Sequence, residues 1–181
     1  AAVLVDTAAK IHGQVMGLAT NSDTLGRKSS SRRAPTDQER AAVMALVKQI
    51  YRAKGTTAAL LRQMQTTNLT ATDLDGDGKF ELIGSFVIEI KAKTKARRDL
   101  FLIAEPQSDG YKAALANFQS YKLQPEGFDS AIKFVDQLDL DGDGSAEVFA
   151  IQGGFDAYGY LIYKKQAVGW RQVYTMIGDA C

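Results

Sequence analysis

The six residues DLDGDG occur twice in this chain of 181 residues, at 73–78 and at 139–144, and a Glu follows each copy three residues later. Each nine-residue segment therefore holds four carboxylates, and the two sets are Asp73, Asp75, Asp77 and Glu81, and Asp139, Asp141, Asp143 and Glu147. The chain as a whole has a formal net charge of +1, so the rest of it carries +9 once these eight carboxylates are set aside. Negative charge concentrated in two short segments predicts a counter-cation at each.

The spacing of the acidic residues suits a hard cation such as Ca²⁺, which takes about six to eight oxygen ligands. Asp at alternate positions 1, 3 and 5 of a tight loop can aim three carboxylates at one centre, and a Glu at position 9 can complete the site. A Gly at position 6 permits the sharp turn that a Cβ would obstruct. Position 7 offers its backbone carbonyl, which adds Lys79 and Ser145 to the candidate metal ligands and leaves their side chains free.

An EF-hand is the first calcium loop to consider, and two features of the sequence argue against it. An EF-hand requires a bidentate Glu at position 12 and flanking helices. Here position 12 is Gly84 in one copy and Ala150 in the other, and the residues around the first loop, "TTNLTAT" and "FELIGSFVIEI", have the composition of strands. The sequence therefore predicts a loop between two strands.

The segments DLDGDGKFE and DLDGDGSAE resemble the D-x-D-G-D-G-x-x-E calcium loop of FG-GAP/VCBS-type repeats, which occur in integrin α-chain β-propellers and in many bacterial extracellular proteins. The resemblance covers about residues 67–176. It implies two Ca²⁺ ions, each held by the Asp and Glu side chains of one loop and by the carbonyl at position 7, in a small exported bacterial protein. The chain is too short for an integrin-type propeller of about seven blades, so we expect no closed seven-bladed propeller.

The repeat extends beyond the acidic loops. Residues 100–112 align with 160–171, and in both segments a β-like run is followed by a turn and a Gly–aromatic–basic triplet. We therefore predict an α+β fold that is mainly β, with antiparallel sheets built from two four-stranded repeat units. Residues 67–181 form these units and residues 1–66 form the N-terminal part, all within one domain.

The N-terminal third has no counterpart in the repeat family. We predict short strands at 2–6 and 11–18, a mobile polar loop at 19–35, and two helices. The first helix has a capping box at Thr36 and Glu39 and a stop at Gly55. The second is predicted over 57–64, and the segment 111–121 fits either helix or strand because of its alanines.

A basic stretch at 91–98 is the other charged feature of the sequence. Its residues Lys91, Lys93, Lys95, Arg97 and Arg98 form a candidate patch for phosphate, sulfate or an acidic glycan, and the alternative is a solvated hairpin tip. No aromatic residues are interleaved with these basic residues, so we expect no nucleic-acid partner. The aromatic residues of the second repeat, from Phe155 to Trp170, are candidates for a glycan or peptide site or for core packing.

No catalytic residue is predicted. The one histidine, His12, has no recognisable partner, and none of the common nucleophile, phosphate-loop or zinc motifs is present. No apolar run reaches about 18 residues, so no transmembrane segment is predicted. We expect an extracellular or periplasmic calcium-binding module that is structural or binds an unidentified protein or glycan, and the alternative is a hydrolase acting on an extracellular polymer.

Overall fold

Two antiparallel sheets form most of the computed structural model, which describes residues 25, 31–91, 95–123, 131–153 and 158–177. In these ranges the elements follow one another as α1 (Asp37–Ala53), α2 (Ala58–Leu61), β1 (Gln65–Thr72), β2 (Glu81–Ile90), β3 (Ala96–Gln107), β4 (Gly110–Lys122), β5 (Ile132–Leu138), β6 (Glu147–Gly153), β7 (Tyr158–Gln166) and β8 (Gly169–Ile177). The predicted N-terminal strands, residues 19–24 and 26–30 of the predicted loop, and His12, Lys93 and Phe155 lie outside the described ranges.

Each sheet is a meander in which every strand pairs with the next one in the sequence. Sheet 1 has the order β1-β2-β3-β4 and sheet 2 has the order β5-β6-β7-β8. In both sheets the pairing of the third strand with the fourth shifts register at the corresponding place, between Ile103 and Ala104 and between Ile162 and Tyr163. The prediction of a mainly β fold with two four-stranded antiparallel units and two helices is confirmed, and the described strands close neither a barrel nor a propeller.

Helix α1 begins at the predicted capping box. The Thr36 hydroxyl accepts the N–H of Glu39, and the Glu39 carboxylate accepts the N–H of Thr36 at 2.8 Å. Val43, Val47 and Tyr51, spaced four residues apart, form the buried stripe of the helix. Helix α2 ends at Leu61, earlier than predicted, because the chain turns there and enters β1 at Gln65.

Sheet 1 is the middle of three layers. One of its faces packs against the helices, where Leu82 and Phe86 lie in the same cluster as Val47 and Tyr51. Its other face packs against sheet 2 through a second cluster. That cluster includes Ile83, Phe101, Phe134, Leu161 and Tyr163. Strand β2 is therefore buried on both faces. The alternation of apolar residues in its sequence predicted a single buried face.

Strand β4 occupies the segment that was ambiguous in the sequence. It pairs with β3 from Ala96↔Lys122 to Gln107↔Gly110, so cross-strand pairing decides a conformation that its alanines leave open. Among the described helices, none has the length and apolar character needed to cross a membrane.

Candidate metal sites

Loop 1, defined as residues 73–80, connects β1 to β2 and is held by its own carboxylates. The two Asp73 oxygens accept the N–H groups of Gly76 and Gly78 at 2.7 and 3.0 Å. The Glu81 Oε2 atom accepts the N–H of Leu74 at 2.9 Å, which ties the start of β2 to the start of the loop. These bonds fold the loop so that its backbone turns around the first Asp.

Loop 2, defined as residues 139–146, connects β5 to β6 and repeats this arrangement. Asp139 accepts the N–H groups of Gly142 and Gly144 at 2.8 and 3.0 Å, and Glu147 Oε2 accepts the N–H of Leu140 at 2.8 Å. The glycine at position 6 has a φ of 82° in loop 1 and 90° in loop 2, as the predicted sharp turn requires. The two DLDGDG copies thus adopt the same turn between strands, and neither is flanked by helices as in an EF-hand.

The carboxylates of each loop converge. Oxygen atoms of Asp73, Asp75 and Asp77 all lie within 4.8 Å of one another, and so do those of Asp139, Asp141 and Glu147. Two oxygens on opposite sides of a Ca²⁺ ion are separated by about twice the Ca–O distance of about 2.3–2.6 Å, so the spacing fits such an ion.

The glutamate at position 9 is the buried carboxylate of each repeat, and it belongs to the converged cluster in the second repeat but not in the first. Glu81 is 4% exposed and Glu147 is 3% exposed, whereas Asp75, Asp77, Asp141 and the remaining aspartates lie at or near the surface. Burial raises the pKa of Glu81 to about 7, since the charged form loses its hydration. A carboxylate buried at the base of an exposed acidic loop is stabilised in its charged form by a neighbouring cation.

Lysine side chains contact both clusters. Lys164 of β7 places its Nζ atom 2.5 Å from Asp141 Oδ2, 2.8 Å from Asp143 Oδ2 and 2.9 Å from Glu147 Oε1. The Lys79 Nζ atom is 3.0 Å from Asp77 Oδ2. The sequence analysis expected this side chain to be free, whereas the structure pairs it with a carboxylate of its own loop. Sequence reasoning missed Lys164, because its position beside the loop depends on the pairing of β6 with β7.

The two loops are neighbours in space. The N–H of Ala146 in loop 2 donates to the carbonyl of Leu74 in loop 1 at 2.7 Å, and the Leu74 side chain is 3% exposed in the core between the sheets. The second repeat also reaches loop 1 through Lys165, whose Nζ lies 3.4 Å from Asp75 Oδ2. Both acidic clusters therefore lie on the same side of the molecule, next to the sheet interface.

The basic stretch at 91–98 does not form one exposed face where the structure describes it. Lys91 and Lys95 are exposed, but Arg97 is only 8% exposed and its Nε is 2.8 Å from Asp99 Oδ1. Arg98 donates from Nη1 to the Thr56 hydroxyl at 2.6 Å. Both arginines are therefore engaged within the protein, because the strand directs Arg97 inward and places Arg98 beside α2.

The aromatic residues of the second repeat divide into two groups. Tyr163 and Trp170 are buried between the sheets, and Tyr163 stacks on Phe101 with ring centroids 5.4 Å apart. Tyr158 is 53% exposed and meets Tyr160 edge to face at 5.7 Å. Core packing, one of the two predicted alternatives, accounts for Tyr163 and Trp170.

No family model, curated protein or solved structure matches this chain. The fold and the site together define a three-layer protein with paired acidic turns between strands. The likeness to FG-GAP/VCBS-type repeats rests on the loop sequences alone.

Proposed function

We propose that this protein is a calcium-binding module of the FG-GAP/VCBS type, structural or ligand-binding and not enzymatic, with one Ca²⁺ in each acidic loop. The proposal rests on one observation, which is that two separate segments of the chain fold into the same turn and gather carboxylate oxygens within 4.8 Å. In each site three carboxylates lie within 4.8 Å of one another and repel one another, and a divalent cation removes that repulsion.

The chemistry of the donors favours Ca²⁺ over other metals. The candidate ligands of each site are oxygen atoms from Asp, Glu and a backbone carbonyl, with no His or Cys among them, and such sets suit hard cations. The glycines and the exposed aspartates leave each loop adjustable, which suits the variable coordination of Ca²⁺ better than the strict octahedron of Mg²⁺.

The ions would act on stability through the turns that they join. An ion in loop 1 would connect the end of β1 to the buried Glu81 at the start of β2. An ion in loop 2 would do the same for β5 and β6 through Glu147. The hydrogen bond from Ala146 to Leu74 would link the two sites. Because such ions bind the folded state and not the unfolded chain, they would stabilise the protein by mass action.

We also propose that the protein works outside the cytoplasm, in the periplasm or the extracellular medium. Extracellular calcium modules have dissociation constants of about 10⁻⁴–10⁻³ M, which suits shallow sites made by exposed aspartates. A protein or a glycan is the partner class expected for such a module.

Thermal unfolding with and without calcium tests the proposal. Two sites filled to about 100 times their dissociation constant add about 2.7 kcal/mol each. We therefore expect 10 mM CaCl₂ to raise Tm over that in EGTA by several degrees per site, since a protein of this size gains about 2–4 °C per kcal/mol.

The loop variant Asp75→Asn/Asp141→Asn is expected to lose most of the calcium shift. Its matched control is Asp109→Asn, which removes an exposed carboxylate from the β3–β4 turn and keeps the full shift. A wild-type Tm that is the same in CaCl₂ and in EGTA, with no calcium bound by calorimetry, overturns the proposal.

A further inference from the structure

The ammonium group of Lys164 lies among the carboxylates of the second acidic segment. It contacts carboxylates at positions 3, 5 and 9 of the loop, at 2.5, 2.8 and 2.9 Å. An ammonium group has three N–H donors, so each of these contacts can be a charge-assisted hydrogen bond. One of the three partners, Glu147, has a side chain that is only 3% exposed. The side chain thus contacts Asp141 and Glu147, which are two of the three carboxylates that converge in this site.

A lysine ammonium group carries a positive charge at neutral pH. A positive charge in contact with three carboxylates offsets part of their mutual repulsion. Loop 2 therefore contains a counter-cation that belongs to the chain itself.

The corresponding position in the first repeat carries the opposite charge. Val148, one residue after Glu147, pairs with Tyr163, and Leu82, one residue after Glu81, pairs with Ala104. The register shift between the third and fourth strands falls immediately before Ala104 and before Tyr163, which supports the correspondence of these two positions. The next residue is Lys164 in the second repeat and Glu105 in the first.

Glu105 is held at the edge of loop 1 by groups outside it. Its carboxylate contacts Lys165 at 3.1 Å, Lys112 at 3.3 Å and the Trp170 Nε1–H at 3.3 Å. Loop 1 itself is met by Lys79 at Asp77 and by Lys165 at Asp75, and each of these lysines touches a single carboxylate of the loop. The buried Glu81 is thus contacted by its own repeat's backbone, whereas the buried Glu147 also meets a lysine.

We propose that the two loops are unequal calcium sites, in which Lys164 is a tethered competitor that an ion entering loop 2 must displace. Loop 1 then binds Ca²⁺ first, and loop 2 binds more weakly by the free energy needed to move the ammonium group into solvent. This inference rests on the proposed calcium function and adds an internal regulator to one of its two sites.

Displacement is sterically simple. The Lys164 side chain is 22% exposed and has four flexible methylene groups, so the ammonium group can swing outward while its stem stays against β7. Asp141 and Asp143, which it would leave, are about half exposed and can turn toward the incoming ion.

Calorimetric titration with CaCl₂ tests the inference in a background where loop 1 is silenced by Asp75→Asn/Asp77→Asn. Lys164→Met removes the ammonium group and keeps the apolar stem. We expect it to tighten calcium binding by loop 2 at least about tenfold, the effect of one strong charged hydrogen bond. The matched control is Arg171→Met, because Arg171 is the exposed cross-strand partner of Lys164 and carries the same charge.

We expect Arg171→Met to change the affinity much less than Lys164→Met does. Equal effects of the two variants, or no effect of Lys164→Met, overturn the inference. If the wild-type chain binds calcium at neither loop, the proposed function itself fails. If the wild type binds two ions with equal affinity and Lys164→Met changes nothing, only the inequality of the sites fails.

A measurement on the wild type covers the case in which Lys164→Met does not fold. Acetylation of lysines by acetic anhydride, followed by mass spectrometry, reports how accessible each ammonium group is. Lys164 should react slowly in EGTA and several-fold faster at calcium concentrations that fill loop 2, with the exposed Lys48 of α1 as internal reference. Equal reactivity of Lys164 in both conditions, with loop 2 shown by calorimetry to be filled, overturns the displacement.

Discussion

Glu39 joins the first turn of α1 to sheet 1. Its two oxygens each lie 2.7 Å from an Arg33 nitrogen, and the Arg33 guanidinium stacks over the Phe80 ring at 3.9 Å. The backbone of Arg33 also pairs with Ala71 of β1 through two hydrogen bonds. One carboxylate therefore stabilises both the helix N-terminus and the segment that leads into it.

This ion pair gives stability a defined dependence on pH. The hydrogen bonds from Arg33 lower the pKa of Glu39 to about 2, from an ordinary value of 4.5. Because the folded pKa is the lower one, the contribution of Glu39 is complete above about pH 4.5 and is lost as the pH falls toward 2.

Urea denaturation at pH 7 and at pH 3 measures this contribution. Glu39→Gln should destabilise the protein at pH 7 and have a smaller effect at pH 3, with calcium held constant. Asp37→Asn, an exposed neighbour in the same helical turn, is the control. A penalty for Glu39→Gln that is equal at both pH values contradicts the assignment.

At the residue scale, the sequence predicted the local features of the site. The glycine turns and the convergence of the loop aspartates follow from spacing within nine residues. The contacts of Lys164 could not be read in this way, because Lys164 is 23 residues after Asp141 and is brought to it by the pairing of β6 with β7. When strand pairing brings a residue to a site, that residue can be assigned only once the register of the sheet is known.

Tyr51 is the main link between α1 and sheet 1 at the scale of elements. Its hydroxyl donates to the carbonyl of Phe86 at 2.8 Å and lies 3.2 Å from that of Arg98, and its ring meets Phe118 edge to face. Burial raises the pKa of Tyr51, so it stays neutral and keeps its proton for this bond.

We expect Tyr51→Phe to lower the free energy of unfolding by about 1–2 kcal/mol, because buried carbonyl groups lose their donor while the packing is kept. Equilibrium denaturation at pH 7 measures the change. The control is Tyr174→Phe on β8, where the side chain is 49% exposed and the change should be close to zero. Similar values for the two variants would show that the helix does not depend on this bond.

Elements with strong local signals were predicted well, and those decided by packing were not. The capping box and the four-residue spacing of Val43, Val47 and Tyr51 were enough to place α1. Helix α2 and strand β4 have weak signals of their own, because alanines fit either state and the neighbouring strands decide the outcome. The second face of β2 is likewise buried only because sheet 2 packs against it.

The whole molecule is held together by the core between the sheets. Ser85 of β2 donates from its hydroxyl to the carbonyl of Ile132 at 2.6 Å, and Thr72 of β1 bonds Gln137 of β5 at 2.5 Å. Trp170, the single tryptophan of the chain, is 5% exposed in this core. Its fluorescence therefore reports on the contact between the two repeats.

We expect the two sheets to unfold in one transition, because neither buries its inner face alone. Tryptophan fluorescence and far-ultraviolet circular dichroism should give the same midpoint in urea. Leu74→Ala, which truncates the loop 1 residue in this core, should move both midpoints together and cost about 2–5 kcal/mol. Separate midpoints for the two probes would show that the repeats unfold independently.

The meander order of both sheets bears on the route by which the chain folds. Within each sheet, every strand from β1 to β8 hydrogen-bonds to its immediate neighbour in the sequence, so these hairpins can form one after another. Contacts of this kind favour rapid folding for a β protein. During synthesis, α1 and all of sheet 1 are complete before β5 is made. The first repeat can therefore serve as the surface on which the second one assembles.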